Sequence, residues 1–385
     1  MNSNPNPSHW QGVFGILGFA LLVNPICAQS LDGLGLEGED FRIPVWDNSV
    51  SIRGGFGYKD NVLLSHTNAQ GSAYWMSGAE VMVFRLPTSG WYLSFFADAS
   101  DVRYFNAPSV KNEQAALAVA QLGRDFGKGW KGTIGLSYMF QNQVFDNAAN
   151  YTSQSSVGLI LGHTLTPRWV LRKTIGPFWV EGEFSCTRQW LETPLDSYWQ
   201  FGPRVAAGYG WGNGSEIALS YQHIRLDYDT RERLSPIGEA VTNSLLSLDA
   251  DAFEFSITRN WDAKKRWQTV TSAGIDISGD NGSGFYGNDR VHLLQRLRYR
   301  TGKWDLMAQV MWSQYEYGIQ TVSATDLELR RRNMLNLVLR AEYKFTKHLA
   351  INASWGWDRS LSNLEFYRST HHDSKTCNSL VFCMS

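Results

Sequence analysis

Long apolar runs are what this sequence lacks first. Past the N-terminus no stretch of about 18 apolar residues occurs, and the mean hydropathy is −0.29. Membrane-crossing helices are excluded on that ground. An excess of charge of one sign is missing too. The net charge is −1, which leaves no basic footprint for nucleic acid. Cysteine is scarce, limited to Cys27, Cys186, Cys377 and Cys383, so no disulfide framework holds the chain together. Cys377 and Cys383 could pair in an oxidising compartment, and Cys186 reads as a small apolar residue on a strand face. With 11 prolines in 385 residues, the chain has few obligatory breaks for strands to avoid.

Aromatic residues and glycine are abundant instead. Phe, Trp and Tyr make up 14% of the chain, and glycine numbers 35. Modest hydropathy with many aromatics suits a sheet that is apolar on one face only and carries aromatic girdles where that face ends. Ser72–Phe105 shows the pattern most plainly. Trp75, Ala79, Val81 and Val83 share one parity, with Gly78 and Glu80 on the other. After Leu86–Gly90, Trp91, Leu93, Phe95 and Ala97 alternate with Tyr92, Ser94 and Asp98. Two alternating runs around Pro and Gly form a hairpin, and the rest of the chain repeats it.

Residues 1–28 read as a secretory signal peptide, with Val13–Val23 as its apolar core and cleavage after Ala28, although no Lys or Arg precedes the core. Residues 29–49 are a Gly-rich, acidic periplasmic lead-in, and 50–385 form the barrel. Within it, strands are expected at Val50–Leu64, at Trp130–Phe145, Phe178–Leu191 and Tyr198–Trp211, and onward to a last one near Leu364–Ser385. The run Ser155–Thr174 breaks at Thr166-Pro167-Arg168 or at Gly176-Pro177. Thr230–Asn243 reads as a charged loop, Gly279–Asn288 as a flexible glycine-rich loop, and a parity change near Ala252-Phe253 as a bulge. Short turns alternate with longer polar loops, as in a barrel with periplasmic turns and outside loops. The expectation is an all-β, closed antiparallel transmembrane β-barrel of about 16 strands. Trp91, Trp130, Trp267 and Trp304 follow short turns and Trp211 precedes one, which predicts a girdle on the turn side.

Charge separates from apolar residues on two strands. Arg290, His292, Arg296, Arg298 and Arg300 share a parity opposite to Val291, Leu293 and Leu297. Arg330, Arg332 and Arg340 are likewise opposite to Leu335, Leu337 and Leu339. Arginine at a bilayer midplane costs about 2–4 kcal/mol, so these side chains are assigned to the lumen, with Glu254 and Asp276 on the inward parity beside them. They either set a field across a pore that favours anionic solutes or pair with acids and fill the lumen. Neither a catalytic motif nor a metal-ligand spacing accompanies them. His371-His372-Asp373 reads as a solvated loop, and the acids around the Gly279–Asn288 loop do not match a Ca²⁺ loop. No enzyme activity and no cofactor are expected.

Gly54–Leu64, GGFGYKDNVLL, resembles the opening strand of the uncharacterised outer-membrane β-barrels of the β-barrel porin type, which often begin with a Gly-Tyr-Asp-Asp-Asn-Val-like run. Lys59 stands where that run has its first Asp. The resemblance implies a place in the cell outer membrane, with transport or polysaccharide export as the activity. It transfers no site residue. Such barrels usually end in an aromatic residue that the barrel-assembly machinery reads, whereas this chain ends at Ser385. The partners expected are outer-membrane lipid, that machinery and small solutes. Two functions follow: a porin-like passive channel, or a non-conducting barrel for export, adhesion or envelope structure.

Overall fold

The computed structural model describes residues 46–62, 70–88, 90–145, 158–192, 196–322, 326–346, 349–363 and 375–384. The signal-peptide expectation, most of the lead-in, and His371-His372-Asp373 lie outside them. All regular structure among the described residues is strand. In chain order the strands are β1 Trp46–Lys59, β2 Ser72–Thr88, β3 Trp91–Tyr104, β4 Asn112–Gly127, β5 Trp130–Phe145, β6 Gly158–Ile175, β7 Phe178–Leu191 and β8 Tyr198–Trp211. There follow β9 Ser215–Leu234, β10 Ala240–Asn260, β11 Trp267–Asp280, β12 Asn288–Arg300, β13 Trp304–Thr321, β14 Leu329–Lys344, β15 Ala350–Ser362 and β16 Lys375–Met384. Every strand pairs antiparallel with its sequence neighbour, and β1 pairs with β16 from Gly54↔Met384 to Lys59↔Ser379, which closes the sheet on itself. Among the described residues no helix is long and apolar enough to cross a membrane.

Alternation decides the two faces. On β1, Val50, Ile52 and Phe56 point outward, and Ile52 is 75% exposed. The hairpin of β2 and β3 lays Val81 beside Ala97 and Val83 beside Phe95 on that same outward face. Glu80 and Asp98 meet on the inner face, where Arg53 reaches Asp98 at 2.6 Å. The turn-side ends carry aromatics. Trp91, Trp130, Trp267 and Trp304 each open a strand, Trp211 closes one, and all five are exposed.

Several boundaries differ from those expected. β1 begins at Trp46, so the strand takes in 46–49 of the expected lead-in; Trp46 lies opposite Arg85 and under its guanidinium. The break after β6 falls at Gly176-Pro177, where Gly176 has φ 59°, and Pro167 stays inside the strand. There the ladder is interrupted: Thr166 and Pro167 have no partner in β7, and Gly202 and Pro203 have none in β9, while pairs on either side keep register. A hydroxyl bond from Thr166 to Thr187 (2.9 Å) spans the first gap on the inner face.

The charged stretch Thr230–Asn243 is mostly strand, because polar alternation suffices for a hairpin that faces water on both sides; only 235–239 turn. No bulge occurs at Ala252-Phe253. The register shifts lie between Val241 and Leu245 and between Leu245 and Ser247. What changes near Ala252 is the face that is apolar, from inward Leu246 and Leu248 to outward Phe253 and Phe255. Cys377 and Cys383 both sit on β16. Six residues of extended strand hold their Cα atoms roughly 20 Å apart, beyond disulfide reach.

Turns are tight. In the β4–β5 turn Gly129 adopts φ 78°, and a Cβ there would stand 2.3 Å from the Thr174 carbonyl oxygen, which accepts no compromise from backbone. Gly129→Ala is therefore expected to destabilise the fold by about 1–3 kcal/mol. A lower unfolding temperature of the purified protein on unheated gels checks it, and an unchanged midpoint refutes it. In the β10–β11 turn Asp262 accepts from Arg266 Nε (2.8 Å) and from the backbone N–H groups of Arg266 (2.7 Å) and Trp267 (3.0 Å). The Arg266 guanidinium, first, and these N–H groups hold its carboxyl below the usual range.

Candidate functional site

The inward parity of β10–β15 gathers most of the predicted residues into rows set by register. One row runs Asp276, Arg290, Tyr315, Arg332, Ser362 from β11 to β15. The next runs Glu254, Gly274, His292, Ser313 from β10 to β13. Lower rows place Arg296 beside Gln309 and Val338, and Arg298 beside Met307 and Arg340. Gly274 leaves room for its neighbour: a Cβ there would lie 2.5 Å from His292 Cε1, so the imidazole covers the glycine.

Partners divide these side chains into classes. Arg290 donates to Asp276, and His292 Nδ1 lies 3.7 Å from the same carboxylate. Arg298 donates to both oxygens of Asp305, with Nε at 2.8 Å, and Arg300 approaches Asp305 at 3.5 Å. Arg340 and Lys344 share Glu342, at 3.1 and 3.8 Å. Arg332 donates to Ser360 Oγ at 2.9 Å. Arg296 differs: it donates to the neutral Gln309 Oε1 at 2.8 Å, and no carboxylate reaches it among the described residues. Glu254 is exposed and has no ion-pair partner there either. The wall of β11–β15 carries more cations than carboxylates.

Arg330 stands apart from its expected companions. It is only 4% exposed, lies 4.5 Å over the Tyr317 ring and donates to Gln320 (2.8 Å), which in turn donates to the Phe285 carbonyl (2.7 Å). It braces a loop and does not line open space.

That loop, 281–287, was expected to be flexible. Instead the Asp280 carboxylate accepts the backbone N–H groups of Gly282 (2.8 Å), Gly284 (2.9 Å) and Tyr286 (2.8 Å). Those three donors satisfy the oxygens that a cation would otherwise take. Phe285 and Tyr286 are thereby seated on Ile224, Leu226, Tyr228, Leu246 and Leu248. All five belong to inward-facing positions, so the loop folds over the inside of the loop-side mouth. A second apolar cluster, Val62, Ala107, Val110 and Val144, packs under the loops that follow β1 and β3.

The sequence reading put Glu342 on the charged face with Arg340 but did not pair them; what it missed is chiefly Asp305, the acid that meets Arg298, and a second ionic sector. There Arg168 contacts Glu183 (2.7 Å), and Arg204 contacts Glu181 (3.4 Å) and Glu183 (3.5 Å). Parity put all of them inward; only register pairs them. Among the described residues no group of three His, Cys, Asp or Glu side chains is placed to hold a metal.

No protein-family model matches the sequence, and no curated protein matches it. Solved structures it is similar to include OmpT, an outer membrane protein of Vibrio cholerae, at TM-score 0.45 and 10% identity, covering 88% of this chain and 97% of that one. Pseudomonas aeruginosa OccK8 (OprE) gives 0.43 and 10%, over 88% and 98%. Acinetobacter baumannii OccAB1 gives 0.43 and 8%, over 88% and 96%.

Proposed function

We propose that the chain is an outer-membrane β-barrel of 16 strands, closed by the β1–β16 pairing, that acts as a porin-like passive channel with a preference for anionic solutes. One observation carries the reading: an outward face of exposed apolar side chains bounded by aromatics, around an inward face rich in ionic groups. Closing the sheet removes the open strand edges that hydrocarbon could not satisfy. A ring of this many strands holds water unless something fills it. The excess of arginine on β11–β15, and Arg296 above all, supports the anionic preference.

The second reading, a non-conducting barrel for export, adhesion or envelope structure, is favoured by the apolar cluster on which the 281–287 loop folds over the mouth. Liposome swelling separates the two. Proteoliposomes are expected to swell in small sugars and faster in small carboxylates than in cations of equal size. No swelling in any solute would leave the non-conducting barrel.

A further inference from the structure

We infer that the turn-side rim is a binding surface for anionic glycerophospholipid headgroups. It consists of cations stacked on outward-facing aromatic rings. Three successive hairpins repeat one cross-strand pair at their turn-side ends: Trp46 opposite Arg85, Trp91 opposite Arg124, and Trp130 opposite Lys173. The cation-to-ring distances are 5.7, 4.9 and 5.1 Å. A fourth instance lies further round, where the Arg259 guanidinium sits 3.9 Å over Trp261. All four cations share the outward parity of exposed Trp46, Leu122, Leu171 and Phe255 on their own or adjoining strands. They therefore face lipid, beside the headgroups rather than the lumen.

Three of the four lack an acidic partner. Arg124, Lys173 and Arg259 have no carboxylate partner among the described residues; Lys173 donates only to the Lys128 carbonyl (2.5 Å). The opposite rim differs in kind. Outward cations there are matched by outward acids, as in Arg103 with Asp101 (2.7 Å), Arg188 with Asp229 (2.5 Å) and Arg225 with Asp227 (3.1 Å). An aromatic ring fixes the depth at which its cation sits, at the boundary of hydrocarbon and water. The ring face also holds the cation without neutralising it, leaving its N–H groups to donate to a phosphate. The geometry thus calls for an anionic headgroup in the turn-side leaflet, and it rests on the membrane placement proposed above.

The test uses the full-length protein in nanodiscs of mixed phosphatidylglycerol and phosphatidylcholine, with retained lipid counted by native mass spectrometry. Wild type is expected to retain phosphatidylglycerol over phosphatidylcholine by roughly fivefold per site, the gain from one basic residue at an anionic surface. The triple variant R124Q/K173Q/R259Q, with every tryptophan kept, should lose that preference, while R103Q/R188Q at the other rim should keep it. Inorganic phosphate in excess should not displace the lipid. Equal retention of both lipids by wild type, an unchanged preference in the triple variant, or displacement by free phosphate would each overturn the inference. The lumen is untouched by these substitutions, so swelling and conductance report the channel separately.

Discussion

Replacing Arg296 and Arg298 together by glutamate is expected to turn anion preference into cation preference. Arg296 contributes a charge that no carboxylate offsets among the described residues, because its partner Gln309 is neutral. Arg298 is offset by Asp305, so R298E leaves Asp305 and Glu342 beside a third carboxylate on the same wall. A unit charge a few ångströms from a permeant ion is worth about 1 kcal/mol in water. Each reversal changes the wall by two charges, and the permeability ratio should move by more than about tenfold. Reversal potentials across planar bilayers in asymmetric KCl give the ratio directly. R296Q alone should reduce the preference without inverting it. If the double variant kept the wild-type sign, the arginines would serve only to knit the wall together.

Phe285→Ala with Tyr286→Ala is expected to release the loop from the mouth and raise single-channel current. The two rings are 3% and 6% exposed, and they supply the loop's apolar contact with β8–β10. Truncating a buried aromatic costs about 3–5 kcal/mol, more than a local docking equilibrium retains. Arg231, whose guanidinium lies 5.0 Å from the Tyr286 ring and 5.4 Å from Tyr228, loses one of its two aromatic neighbours. Asp280→Ala should act in the same direction but less strongly, since the three N–H groups it accepts could turn to water once the loop lifts. Protease added on the loop side should cut 281–287 in the variants and spare wild type. Equal protection with equal current would show that the loop obstructs nothing.

How much of this was legible in the sequence depended on what each segment faces. Trp130–Phe145, Phe178–Leu191 and Tyr198–Trp211 could be read to the residue, because each has a Gly-containing turn at one end, an aromatic at or next to each end, and one largely apolar face. The upper part of the β9–β10 hairpin was misread. Past the hydrocarbon, nothing requires an outward apolar face, and Tyr221 and His223 there both bond to Asp251. The inward Leu226, Leu246 and Leu248 belong to a mouth cluster whose other half, Phe285 and Tyr286, comes from a distant loop. Periodicity places the two halves on faces but cannot join them. The inner face itself was legible from parity at Arg290–Arg300. Which arginine keeps its charge was not, since that depends on Gln309 and Asp305 lying opposite in register.

Two of the prolines held inside strands, Pro167 and Pro203, bear on how the wall opens in time. Pro167 offers no donor toward β7, and the ladder between β8 and β9 lapses at Pro203. Between those seams the β7–β8 pair stays bonded to itself from Phe178 to Gln189. Local opening follows the weakest boundaries of a cooperative unit. Joint loosening of β7 and β8 is then one expected local opening besides that of the six-pair β1–β16 seam, with Glu181, Glu183 and Arg204 carried along together.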